Sequence, residues 1–233
     1  SLWRNKPLNS AGWNGIVKVY LEAGNPETAL QRLSNINADE HFQKFETEQL
    51  RIAAHKAIGT ASSMEAVTHI LRERLFASPS SRTLAELEEL LSPETRTSIV
   101  DGLICRFVER PGLDLSFLAF ALQELDISVA ETYLLERADQ LDGDQYYALA
   151  TVARQFAEKK SPLAATLILR ALANSILQRG VSKNYKIAVG YIKRAEKLAP
   201  AITDWRSHPD HAAYLESLRT NHARKTAFWS KMQ

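Results

Sequence analysis

The sequence predicts an all-α protein, about ten to twelve helices paired as antiparallel hairpins and stacked as a solenoid. Three observations carry this expectation. Apolar residues recur at every third or fourth position along nearly the whole chain, which is the period of one helical face. Gly and Pro are scarce, 9 and 8 of 233 residues, so few elements are interrupted. Where they do occur they stand at helix starts and stops, Pro just inside and Gly just beyond. No segment reads as a strand, because short apolar runs such as 97–100 sit inside helical periods.

Taken in order, Trp13, Ile16, Val17, Tyr20 and Leu21 share one face of a helix over 13–23. Gly24 ends it, where a residue without Cβ turns most cheaply. Asn25 caps the next helix and Pro26 takes its first position, with Ala29, Leu30, Leu33 and Ile36 as its stripe. Helices follow over 46–58, 62–76 and 83–91. Ser78-Pro79-Ser80-Ser81 is the clearest loop, and a sub-boundary is expected near 78–82 within one helical-repeat domain covering 1–233. Ser92-Pro93-Glu94 opens a helix carrying Ile99, Val100, Leu103, Ile104 and Phe107, ended by Pro111-Gly112. Helices over 114–124, 127–140 and 144–158 lead to Ser161-Pro162. That pair opens a helix through Ala165, Ile168, Leu169, Leu172 and Ile176, ended by Gly180. A helix over 184–198 and one last helix over 210–230 close the array, with 183–233 as a basic C-terminal cap.

Composition narrows the class. Apolar residues make up 45% and charged residues 24%, enough to build a core. A single cysteine excludes an internal disulfide framework and any multi-thiolate metal site. Apolar runs fall far short of the roughly 18 residues of a membrane span, and no signal peptide is recognisable. The chain begins with Ser rather than Met, which reads as a fragment of a longer chain. A cytoplasmic location is the expectation. The net charge of +2 hides an asymmetry: residues 179–233 hold eleven Lys or Arg and four acids, a balance of +7. Such a segment can mark contact with an acidic partner or nucleic acid, but more often it marks solvated faces and cations at helix C-termini.

One-faced helices need neighbours, and a small residue early in each second helix lets them approach. Ala29, Ala130 and Ala165 occupy equivalent places after a loop. Trp13, Ile16, Tyr20, Gly24, Ala29 and Leu33 fall on spacings that resemble the tetratricopeptide repeat family. Leu149, Val152, Phe156, Ala165, Leu169 and Leu172 are similar, with Lys160 where Gly is expected; over 46–78, Glu48 and Arg51 replace apolar positions. The resemblance implies a helical-hairpin solenoid that holds protein or peptide partners. The C-terminal third, from Ser175 through Tyr185 and Gly190-Tyr191 to His208, His211, His222 and Phe228-Trp229, resembles an uncharacterised family of bacterial helical proteins. Related segments also follow SWIM-type zinc modules. With one Cys, this chain holds no SWIM zinc site itself.

Few groups read as chemical. His208-Pro209-Asp210-His211 has two imidazoles and a carboxylate, but zinc needs three or four ligands, and His222 lies about 16 Å further along the helix. Asp210 reads as a helix cap. His222 falls on the stripe Leu215, Leu218, His222, Lys225, Trp229, so it reads as a core or rim histidine, with Trp229 buried. Cys105 reads as a quiet small residue, and Glu86, Glu88 and Glu89 as a solvated face. No phosphate loop, nucleophile elbow or metalloprotease motif occurs. No catalytic, cofactor or metal residue is expected. The expected function is a non-catalytic protein-interaction scaffold, whose candidate partner-binding residues are Arg179, Lys183, Lys186, Arg206, His208, His211, Arg224 and Lys225. The alternative is a nucleic-acid-associated module using the basic C-terminal segment. Most of the aromatic rings there are expected to be buried, which leaves few for stacking.

Overall fold

The computed structural model describes residues 10–35 and 41–232. Among them there are thirteen α-helices, three short 3-10 turns and no strand. The chain forms two compact units, one running up to Leu103 and one from Ile104.

The first unit holds α1 (Ser10–Glu22), α2 (Pro26–Leu33), α3 (His41–Ile58), α4 (Ala61–Ala77), α5 (Ser81–Glu88) and the start of α6 (Pro93–Glu109). Its core gathers Val17, Ala29, Leu33, Leu50 and Ala54, one stripe from each of α1, α2 and α3. Gly24 ends α1 at φ +72, and the N–H groups of Gly24 and Asn25 turn back to the carbonyls of Leu21 and Tyr20. Asn25 stands at the N-cap of α2, but its side chain does not cap it; its Nδ2 donates to Ala23 O instead. Ile36 lies outside the described residues. Hydroxyls cap the later helices: Thr60 on α4, Ser80 on α5 and Ser92 at the start of α6. The two polar residues at expected apolar positions are both satisfied. Glu48 accepts from Arg74 Nε at 3.2 Å, and Arg51 Nη2 donates to Leu33 O at 3.1 Å.

The second unit holds the rest of α6, then α7 (Leu115–Glu124), α8 (Ile127–Leu135), α9 (Tyr146–Glu158), α10 (Pro162–Arg179), α11 (Tyr185–Leu198), α12 (His211–His222) and α13 (Thr226–Met232). Asp114 and Asp126 cap α7 and α8 through their carboxylates. Phe107 stacks on Phe117, and Phe117 meets Tyr133 edge-on, with all three rings fully or almost fully buried. α10 is the hub: α9 and α11 both pack on it, and residues 163–170 are buried without a break. Gly143 lets the loop before α9 approach α10, since a Cβ there would lie 2.3 Å from Ala171 O.

Two of the expected helices are broken in the structure. The helix expected over 127–140 stops at Leu135, and Ala138–Gln140 forms a separate 3-10 turn. The single last helix over 210–230 is two. The His222 carbonyl accepts the Lys225 N–H at 3.0 Å and the Trp229 indole Nε1–H at 2.9 Å, and a turn at 223–225 separates α12 from α13. That break rotates the last turn, so Phe228 is the ring that seals the core and Trp229 is only half-buried. Cys105 is exposed.

Candidate functional site

One concave surface follows from α9 and α11 lying on the same helix. Between them runs a groove of about 230 Å³, floored by Ala150, Ala153 and Ala157 of α9, Leu169 of α10 and Leu198 of α11. Alanines keep the α9 wall low, and Leu169 gives an apolar bottom. Arg154, Arg194 and Lys197 stand on its rim. The surface continues over the outer face of α11 as a shallow hollow of about 480 Å³ around Gly190, bounded by Ile187, Tyr191, Lys193, Arg194 and Lys197. Arg154 pairs with Glu158 at 3.2 Å, whereas Lys193, Arg194 and Lys197 have no hydrogen bond or ion pair among the described residues. Tyr146 and Tyr147 are exposed at the start of α9, with ring centroids 3.9 Å apart. The Tyr147 hydroxyl raises the Tyr146 phenol above its usual value, and Tyr191 adds to the effect from nearby.

A second cavity of about 490 Å³ lies at the other side of α10. Arg170, 5% exposed, lines it with its guanidinium between the rings of Trp205 and Tyr214, 4.7 and 4.5 Å from their centroids. Its Nη1 donates to Pro209 O at 2.7 Å, while Nε and Nη2 have no partner among the described residues. Burial pulls this guanidinium down to about 10, against the opposing pull of the Tyr214 and Asp210 oxygens. Burial also raises the Tyr214 phenol, whose hydroxyl donates to Asn174 Oδ1 at 2.9 Å. Asp139, Asp142 and Asp144 share the lining with Arg170, so carboxylates oppose an anion and the guanidinium opposes a cation. Ser175, His208 and Asp144 also meet there, but the Ser175 hydroxyl donates to Asp144 and not to His208. A serine nucleophile needs its base at that hydrogen bond, so the cavity lacks the relay. The arrangement clamps the segment 199–210 onto α10.

The residues expected to bind a partner are dispersed over the second unit. Arg179 sits 3.7 Å from Asp144. Lys183, Lys186 and Arg224 are exposed. Arg206, at φ +51, lines a small hollow with Glu131 and Asp204. His208 lines the Arg170 cavity. His211 is half-buried beside it, with both ring nitrogens unpartnered, and burial followed by Arg170 lowers its pKa. Lys225 lies over the Tyr185 ring at 5.9 Å. Asp210 caps α12 through the Ala213 N–H at 2.8 Å. Among the described residues, no group of three or more His, Cys, Asp or Glu could hold a metal ion, and no helix is long and apolar enough to cross a membrane. The rings of the basic segment divide: Tyr185, Tyr214 and Phe228 are buried, while Tyr191, Trp205 and Trp229 are half-buried.

The groove residues Arg154, Lys193, Arg194 and Lys197 were not among those expected. A signal existed in α11, where Ile187, Gly190, Tyr191, Arg194 and Lys197 keep helical spacing without one acid. Nothing local, however, says that α9 lies alongside.

The chain matches, over residues 13–231, the family described as Family of unknown function (DUF6880), and it belongs to that family. No curated protein and no solved structure matches it.

Proposed function

We propose that this DUF6880 member is a non-catalytic protein-interaction scaffold of the tetratricopeptide-like helical-repeat type, at work in the cytoplasm. Its hairpins stack in the manner of a solenoid, with first helices facing a groove and second helices building the back. One observation carries the reading: α9 and α11 rest on the same α10 and leave an apolar-floored groove open between them. A seam that served packing alone would be filled by larger side chains, because interiors are close-packed. Three alanines instead keep it open.

Site-specific photo-crosslinking in cells tests this. A benzophenone side chain at Tyr147 or Ile187 is expected to capture protein, and the same group at Glu216, on the exposed side of α12, is not. Equal yields at all positions would remove the groove from consideration. A second reading is a nucleic-acid-associated module using the basic segment, favoured by Lys193, Arg194 and Lys197 lying unpaired beside Tyr191. It predicts oligonucleotide binding that weakens steeply with salt and depends on Arg194 and Lys197 as well as on Arg224 and Lys225.

A further inference from the structure

We infer that the α9–α11 groove is built for an acidic, amphipathic segment of a partner protein; the inference rests on the scaffold reading and names the chemistry of its partner. Three independent features agree. The floor is hydrocarbon: Ala150, Ala153, Ala157 and Leu169 present methyl groups and no hydrogen-bonding side chain. Its volume of about 230 Å³ takes an aliphatic side chain or two. The rim is cationic: Arg194 and Lys197, with Lys193 in the adjoining hollow, lack carboxylate partners among the described residues, while Arg154 pairs with Glu158. Cations placed around an apolar trough select a segment with apolar residues on one side and acids flanking them.

The third feature is Gly190. It lies inside α11, where glycine is unfavourable relative to alanine. Its backbone is ordinary and a Cβ there would meet nothing within 4 Å. Neither conformation nor packing explains the glycine, whereas an occupant lying close over α11 does. The exposed Tyr146 and Tyr147 extend the apolar surface at the start of α9. A single-stranded nucleic acid would meet the same cations and the tyrosine rings beside them, but the methyl floor itself offers its bases no hydrogen-bond partner and no stacking face, so the trough favours an aliphatic side chain.

The test uses the full chain and fluorescence anisotropy with defined probes. These are an amphipathic Glu/Leu peptide of about five helical turns, its scrambled isomer, its Lys-for-Glu and Gln-for-Glu counterparts, and an oligothymidine. The Glu/Leu peptide is expected to bind at least about tenfold more tightly than every other probe, an energy difference in the range of rim charges plus one apolar anchor. Arg194→Glu with Lys197→Glu, which alter exposed side chains, is expected to lose that preference. Ala150→Trp fills the trough and is expected to weaken binding, with circular dichroism checking the fold. Gly190→Ala is expected to weaken binding while raising the melting temperature, which a purely structural role would not produce. Equal binding of the Gln counterpart, abolished by Ala150→Trp, would sink the acidic partner and leave the scaffold intact. Tighter binding of oligothymidine, lost in the charge-reversed variant, would replace both with the nucleic-acid reading. Absence of binding by every peptide would overturn the inference.

Discussion

The turn from α1 to α2 and the turn from α9 to α10 are the same structure made with different residues. In the first, Gly24 takes φ +72 and Asn25 N–H reaches Tyr20 O at 2.9 Å; in the second, Lys160 takes φ +61 and Ser161 N–H reaches Phe156 O at 2.9 Å. Pro26 and Pro162 then open the second helix of each pair. A left-handed conformation is free for glycine and costs a side chain about 1–2 kcal/mol. What offsets the cost at Lys160 is the packing behind it. α2 buries Ala29 and Leu33, whereas α10 is buried along residues 163–170 and again at Leu172, Ala173 and 175–177. Strong burial on one side tolerates local strain that a weakly buried hairpin would not.

The largest test of this contrast removes the ring before each turn. Phe156→Ala is expected to destabilise the fold by roughly 3–5 kcal/mol, the range for a fully buried aromatic, as read by urea unfolding. Tyr20→Ala, at a half-buried site, is expected to cost less than half as much. Comparable losses would mean that the two hairpins are held equally tightly.

Exchanging the turn residues is next. Gly24→Lys should cost about 1–2 kcal/mol, and Lys160→Gly should return about 1 kcal/mol or less after glycine's entropy is counted. A lower melting temperature for Lys160→Gly would show that the lysine side chain supports the turn. Gly190→Ala in α11 is expected to stabilise by roughly 0.5–1 kcal/mol, because it adds helix propensity where a Cβ meets nothing.

The smallest effect is set by pH. Burial lowers the pKa of His55 in the first unit and of His211 and His222 in the second, below the ordinary 6.5. The unfolded chain then binds more protons than the fold once the pH drops beneath that value. Stability from these groups is complete above about 6.5, falls as the pH decreases, and levels off when the folded histidines themselves protonate. The urea midpoint is expected to be lower at pH 5.5 than at 7.5, with a shallower dependence in His211→Gln. A midpoint unchanged across that range would contradict the burial of these rings.

Much of the helical layout is legible in the chain itself. Gly24, Gly180, Pro26 and Pro162 mark the ends of helices because backbone conformation is decided within a few residues. Ala29, Ala130 and Ala165, picked out as close-approach positions, are all completely buried. The misses at the C-terminal end come from contacts beyond a helical turn. The stripe through His222, Lys225 and Trp229 is a sound helical period, yet an indole N–H from seven residues away takes the His222 carbonyl. Trp205 and Tyr214 flank Arg170 from 35 and 44 positions along the chain, so no window of sequence contains the clamp.

Helix content, helix ends and the inward stripes therefore follow from short-range rules: hydrogen bonds to the fourth neighbour, caps, and an apolar period of three to four. The groove does not. Ala150 and Arg194 belong to separate helices and become neighbours because both helices pack on α10. Convergence of solvent-facing residues depends on how helices are laid against one another, a long-range outcome of burying their opposite faces.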